Sequence, residues 1–363
     1  MLTMLAPQNP GVPKIPRSLF AARPAVGHTT SALNFDCYPK GYFMSSVASV
    51  EKPSQSIGLH AHQLHWRYAL PIAAVHVLAC LAFLPLFFSW SGVVLAALCT
   101  HLFGMLGINL CYHRLLTHRS LTTPLWLEHV LATIALCSLE DTPVRWVATH
   151  RLHHVHSDET ADPHSPNDGL GWSHAGWLLR AAPSRRSLAF YDRYARDVIA
   201  DSYYRWLEKR PFTVLYIYAA QIPVFGACGW IVSWCVNGHT AAATQLALSW
   251  IVWGVFVRTV LVWHQTWSVN SLSHVFGYRT YETKENSRNN WLVALIAAGE
   301  GWHNNHHHDP VSASVQHRWW EFDPTYYCIC LLAKLGLAHD IVLPRHIRQA
   351  RTAAATTSRE LVP

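Results

Sequence analysis

Three short strings gather imidazoles at repeating intervals: His113-Arg-Leu-Leu-Thr-His118, His150-Arg-Leu-His153-His154 and His303-Asn-Asn-His306-His307. In the second and third, the i, i+3, i+4 spacing sets three rings on one face of a helix. His113 and His118 are five apart and diverge on an ideal helix, so they either approach one centre from different sides or serve two centres. A fourth string, Asn270-Ser-Leu-Ser-His274, puts an amide and an imidazole on one face by i, i+4 spacing. Imidazole suits zinc, copper, iron and nickel. Nine such histidines are too many for one ion and the right number for two. A single histidine of this kind is ordinarily a surface residue or a hydrogen-bonded core residue, but nine in four spaced groups are not. Zinc-protease chemistry fits poorly, because no HExxH occurs. The ferritin-like pattern needs two ExxH motifs and two further glutamates, and only Glu300-Gly-Trp-His303 qualifies.

The elements that must position these groups are apolar. Of the 363 residues, 51% are hydrophobic and 13% charged, about half the charge of an ordinary soluble chain. Seventeen Trp suit lipid headgroup level. The net charge of +7 fits an anionic membrane surface better than nucleic acid in a chain this apolar. Nine cysteines without a CxxC, most of them inside apolar runs, read as small buried hydrophobes. Four runs are long enough to cross a bilayer: Tyr68 to Phe88, Val93 to Tyr112, Phe212 to Val236 and Thr244 to Trp263. Short connectors at 89–92 and 237–243 make two hairpins. All but one of the 28 Lys and Arg lie outside the runs, on the side that also holds the termini and the histidine strings. The positive-inside rule makes that side cytoplasmic. The exception, Arg258, is either a functional intramembrane charge or a locally paired one. Pro124–Leu139 and Trp291–Ala298 are apolar but short, and are expected to lie along the interface. Residues 1–60 read as a disordered or targeting segment, 65–345 as the folded domain and 346–363 as a loose tail.

With these strings in order, the chain resembles the integral-membrane fatty acid desaturases, in particular the acyl-CoA Δ9 (stearoyl-CoA-type) branch. The resembling text is CYHRLLTHRS, VATHRLHHVHSDETADPHSP, GWSHAGWLL, TWSVNSLSHVFGYRTYET and GEGWHNNHH, within roughly Leu70 to Arg345. The resemblance implies an all-α membrane protein whose four transmembrane helices are capped by a cytoplasmic helical domain holding a histidine-ligated dimetal site. It implies two iron ions, with His113, His118, His150, His153, His154, His274, His303, His306 and His307 as ligands and Asn270 holding a water. Asp158, Glu159, Asp162 and Asp309 stand near the boxes, either as acceptors for the far ring N–H groups or as ordinary surface carboxylates. His156, His164, His174 and His308 match no ligand position.

The implied reaction is O₂-dependent removal of two hydrogens from a saturated acyl chain on CoA or a membrane lipid, giving a cis Δ9 double bond. No flavin, nicotinamide or CxxCH haem signature is present, so electrons are expected from an external donor, cytochrome b5 or ferredoxin with its reductase. Trp146 and Trp267 match family positions beside the chain, and Thr266 adjoins the latter. His101, Met105 and Asn109 step back from His113 in fours and are expected to line the distal tunnel. Arg151 and Arg180 are candidate phosphate contacts. GWLL is followed by Arg-Ala-Ala-Pro rather than a basic pair, and Arg185-Arg186 comes later, a departure from the acyl-CoA pattern. The rivals are a histidine-box hydroxylase acting on alkane, sterol or sphingoid chains, and a non-catalytic metal transporter.

Overall fold

The computed structural model describes residues 63–360 except 181, 211 and 239. The chain divides at Ser54, and all described residues belong to the second unit; the expectation for residues 1–60 lies outside them. Regular structure among the described residues is helical, with only isolated β-bridges.

Four helices have the length and composition of membrane spans: Trp66–Phe83, Trp90–Thr117, Thr213–Val236 and Thr240–Val275. The first ends earlier than its apolar run. Its α-helical part stops at Cys80 and tightens into a 3₁₀ turn over Leu81–Phe83. Pro85 then forces Leu84 into an extended conformation. The second starts on a true cap, with Ser89 Oγ accepting from Gly92 N at 3.0 Å. The third ends where Gly238 takes φ +67°, a left-handed cap that L side chains resist. The third and fourth spans pack along each other, and the first packs chiefly on the fourth.

The second and fourth spans outrun the sequence estimate, to Thr117 and Val275. Both switch to π-helix part-way, over Phe103–Thr117 and Val252–Val257. Arg258 begins the α-helix after the second π segment and is fully buried. It donates to Gly254 O (3.1 Å), Cys137 O (2.9 Å) and Gln221 Oε1 (2.5 Å), and its guanidinium lies 4.2 Å from the Phe103 ring centroid. The charge is therefore a brace tying the fourth span to the third, to the second and to Cys137.

Beyond the spans, the apolar helix Leu125–Leu136 and the helix Pro143–His156 share one core with the end of the second span. Leu110, Leu115, Leu136, Val144 and Val147 are shut from solvent there. The short helix Trp291–Ile296 leaves Trp291, Leu292 and Leu295 exposed. Residues expected to be a loose tail instead begin with a helix, Arg345–Glu360. Asp309 accepts from Arg345 N and from Arg348 Nη2, both at 2.7 Å.

Candidate metal centre

The π segment resolves the five-residue interval of the first box. Its i→i+5 bonding, seen in His118 N donating to His113 O at 3.1 Å, brings residues five apart towards the same side. The two rings sit with centroids 4.8 Å apart, so His113 and His118 face one centre. The second box rides the helix Pro143–His156, which starts on Thr142 as cap and Pro143 at its first position. The third rides His303–His308. Its two asparagines turn the other way. Asn304 Oδ1 accepts from Thr280 N and Tyr281 N, and Asn305 Nδ2 donates to Glu321 at 2.8 Å. That pins the short helix to the segments before and after it.

The nine histidines gather in two groups: His113, His118, His150, His154 and His306, and then His153, His274, His303 and His307. The split follows helical geometry. Residues at i and i+4 lie about 40° apart around the axis and share a group, as His150 and His154 do, and His303 and His307. A residue at i+3 falls about 60° to the other side, so His153 and His306 cross to the opposite group.

Within each group the Nε2 atoms converge. Separations are 3.1 Å for His113–His306, 3.0 Å for His306–His154 and 3.1 Å for His154–His150. In the other group they are 3.1 Å for His303–His274, 3.0 Å for His307–His303 and 3.4 Å for His153–His307. The far nitrogens face carboxylates: His113 Nδ1 to Glu300 at 2.8 Å, His153 to Asp162 at 3.0 Å, His274 to Asp158 at 3.2 Å and His307 to Glu285 at 3.6 Å. Those Nδ1 atoms therefore carry the protons, and the inward Nε2 atoms present bare lone pairs to one another. Lone pairs crowded this closely repel unless a cation lies between them. Bonds of about 2.0–2.1 Å from metal to imidazole put adjacent nitrogens about 3.0 Å apart at right angles and about 3.4 Å apart at the tetrahedral angle, which matches the separations found. His118 Nε2 is buried with no hydrogen-bond partner, as a ligand atom would be. The donor set fits two imidazole-bound metal ions.

Electrostatics agree. Burial, and then crowding by neighbouring imidazoles, hold His118, His150, His154, His303, His306 and His307 well below the usual histidine range, hence neutral. His153 goes the other way: burial opposes its charge, but the Asp162 carboxylate more than offsets that. Burial alone would raise Glu300, yet Arg114 and His113 outweigh it and hold the carboxyl at about 2. Arg114 lies between Glu300 at 2.8 Å and Asp323 at 2.9 Å.

Of the four acids singled out in the sequence, Asp158 and Asp162 back histidines of the second group, His274 and His153. Glu159 pairs with His156, and Asp309 with Arg348. Glu300 and Glu285 were missed; Glu300 has a sequence signal, three residues before His303, but reads there as a failed ligand motif. Of the histidines without a ligand match, His164 lies tilted against His153 with ring centroids 4.3 Å apart, His174 contacts Ser271 and His264 at 2.9 Å each, and His308 stacks on Tyr281.

A mostly apolar cavity of about 480 Å³ reaches His113, His150 and His303 and is lined by Trp146, Thr266, Trp267, Asn270 and Arg180. Trp146 lies against His150 with centroids 4.9 Å apart. Between Trp146 and Thr266 sits Glu140, which accepts from Thr266 Oγ1 at 2.8 Å and from Trp146 Nε1 at 3.4 Å. Burial pushes Glu140 up to about 8, against those two hydrogen bonds.

Three substrate expectations need correction. His101 and Met105 do not line this cavity; Gly104, Ile108 and Asn109 do. Counting back in fours presumes an α-helix, whereas the π segment turns more slowly and brings the residue five before His113 onto the face. Arg151 is buried, and its guanidinium donates to Thr117 O, Leu116 O, Tyr194 O and Asp197. It fastens the second box helix to the end of the first box instead of meeting a headgroup.

A helical protein with four membrane-length helices that buries two groups of histidines beside an apolar chamber has the build of a metal-dependent enzyme of lipid chains. The fatty acid desaturase family model matches residues 88–328. The chain is 41% identical over 281 residues to an sn-1 stearoyl-lipid 9-desaturase of Anabaena variabilis, covering 77% of this chain and 95% of that one. It is 40% identical to an sn-2 palmitoyl-lipid 9-desaturase of Nostoc sp. (77% and 91% covered) and 39% identical to an acyl-CoA 5-desaturase of Anemone leveillei (77% and 80% covered). The chain is a member of the fatty acid desaturase family, and so an oxidoreductase acting on paired donors with O₂.

Proposed function

We propose that the protein introduces a cis double bond at Δ9 of a saturated fatty acyl chain, using two iron ions, O₂ and two electrons from an external donor. The balance is one –CH₂–CH₂– unit, O₂, two electrons and two protons giving –CH=CH– and two waters. The observation that carries this reading is that one apolar cavity ends on histidines of both groups, His113 and His150 from the first and His303 from the second. Relatives named for 9-desaturation support the position of the double bond.

Iron held by the nine imidazoles supplies the oxidising power that an unactivated C–H bond demands, since such a bond offers no acidic proton. The chain's own residues do the rest. The carboxylates at Nδ1 fix the tautomer and orientation of His113, His153, His274 and His307. Asn270 lines the chamber beside them and is proposed to hold a water. Trp146, Trp267 and the Thr266–Glu140 pair hold one stretch of chain against the centre, and water is excluded by the apolar walls. Lys and Arg cluster on the box side, which supports a cytoplasmic centre and cytoplasmic termini. That face attracts an acidic electron donor such as cytochrome b5 or ferredoxin.

The test is expression of the parent and His154→Ala in a host lacking unsaturases but supplying a competent donor, with and without O₂. Oxygen-dependent acyl products 2 mass units lighter, absent in the variant, are expected from the loss of two hydrogens. Products about 16 units heavier would instead mean hydroxylation, and no new product would sink the reading.

A further inference from the structure

The mouth of the chamber is built from spanning helices. Trp66 and Leu70 near the start of the first span, and Phe212 and Leu215 at the start of the third, line the cavity that ends on the histidines. The same four are 61%, 60%, 65% and 44% exposed. An apolar side chain exposed on a spanning helix faces lipid, so residues that face both lipid and chamber form a side door. A thioester arriving from water has no use for such a lip, while a chain leaving the bilayer does.

Just inside that door sits an arginine with no ion-pair partner; the acid that acts on it from a distance, Asp162, is held by His153. Arg185, in the turn Pro183–Arg186, lines the cavity. Its Nε is sealed from solvent and has no hydrogen-bond partner. Arg67 and Arg186 line the same mouth, Arg186 lying 4.8 Å from the Tyr68 ring centroid. The acids there are already matched. Asp141 takes Tyr68 and stands 3.5 Å from Arg145, which also binds Glu208 at 2.7 Å. Glu300, deeper in, belongs to Arg114. The mouth therefore keeps surplus positive charge, and a half-buried guanidinium whose Nε is sealed off gains from an anion that meets it. Its planar fork matches phosphate.

We propose that the acyl chain enters sideways from the bilayer, between the starts of the first and third spans, on a glycerophospholipid whose phosphate is bound by Arg185. The proposal rests on the acyl-desaturase reading only for what the chamber holds. Its test is binding, which is independent of turnover.

Purified full-length protein is titrated with distearoyl phosphatidylglycerol, with a distearoyl galactolipid that lacks phosphate, and with stearoyl-CoA, and bound ligand is read by native mass spectrometry. The phospholipid should bind about 10-fold tighter than the galactolipid, a difference the size of one charge-assisted contact. Arg185→Gln should erase that advantage and leave galactolipid affinity unchanged. Equal affinities in the parent, or an Arg185 dependence confined to stearoyl-CoA, would overturn the proposal. Should Arg185→Gln not fold, Arg185→Lys keeps the charge without the fork and should lose part of the preference; full retention would count against the phosphate contact. Leu70→Glu, a change on an exposed position, tests the door itself. It should slow phospholipid transfer from vesicles several-fold more than it slows stearoyl-CoA uptake from water. Equal slowing of both, or of neither, would discard lateral entry. Specific phospholipid binding together with no desaturated product in the host assay would condemn the reaction assignment and leave the door standing.

Discussion

At the scale of single residues, the site depends on which ring nitrogen keeps its proton. Asp162 accepts from His153 Nδ1 with both oxygens at 3.0 Å, and Asp162→Asn removes the charge that orients this ring. Metal content of the purified variant, measured by elemental analysis, should show affinity for one ion lower by about 10–100-fold, the usual effect of losing such a partner. Retention of two ions with unchanged affinity would show that Asp162 does not orient a ligand. Glu140 gives a pH signature of its own. Its carboxyl is raised when folded, to about 8, so its contribution favours the fold below the unfolded carboxylate pKa and is lost as pH rises towards 8. Glu140→Gln should therefore melt higher than the parent at pH 8, with the gap closing by pH 4. A gap that is constant across that range would mean Glu140 is ionised in the folded chamber.

At the scale of elements, the decisive one is the π-helical end of the second span. It aligns His113 with His118 and selects Ile108 and Gly104 for the chamber wall. It also presses on the helix Leu125–Leu136 without a gap. A Cβ on Gly107 would stand 2.7 Å from Ala135 Cα and N, atoms that cannot step aside. Gly107→Ala should cost about 1–3 kcal/mol, as overpacking does, seen as a lower melting temperature in detergent. Because the strained helix carries His113, metal content should fall with it; a variant as stable and as metal-rich as the parent would show that the two helices yield. This element is also where reading the sequence fell short. The i, i+3, i+4 boxes were legible because an ordinary helix fixes their geometry. A π segment leaves no periodic trace in a run as apolar as Phe103–Leu110, so a face counted in fours pointed to His101 and Met105.

At the scale of the whole molecule, the apolar runs, the two short connectors and the clustering of the nine histidines were readable because length and spacing constrain them locally. Long-range partners were not. Nothing near Arg258 in the chain announces Gln221 and Cys137, nothing near Arg151 announces Asp197, and Arg345–Glu360 is too polar on average to announce that it meets Asp309. That last helix matters for the centre. Asp309 follows the third box directly and is buried, and its carboxylate is met by the first turn of Arg345–Glu360 through Arg345 N and Arg348. Ending the chain at Leu343 strips both donors from a buried carboxylate, which costs about 1–3 kcal/mol. The damage falls one residue beyond the helix that carries His303, His306 and His307. The truncated protein should still insert and bind metal, but lose it to a chelator faster than the full chain, and Asp309→Asn in the full chain should reproduce less than the whole defect because the helix itself remains. Chelation rates equal in the truncated and full-length proteins would show that the third box is held by its asparagine contacts alone.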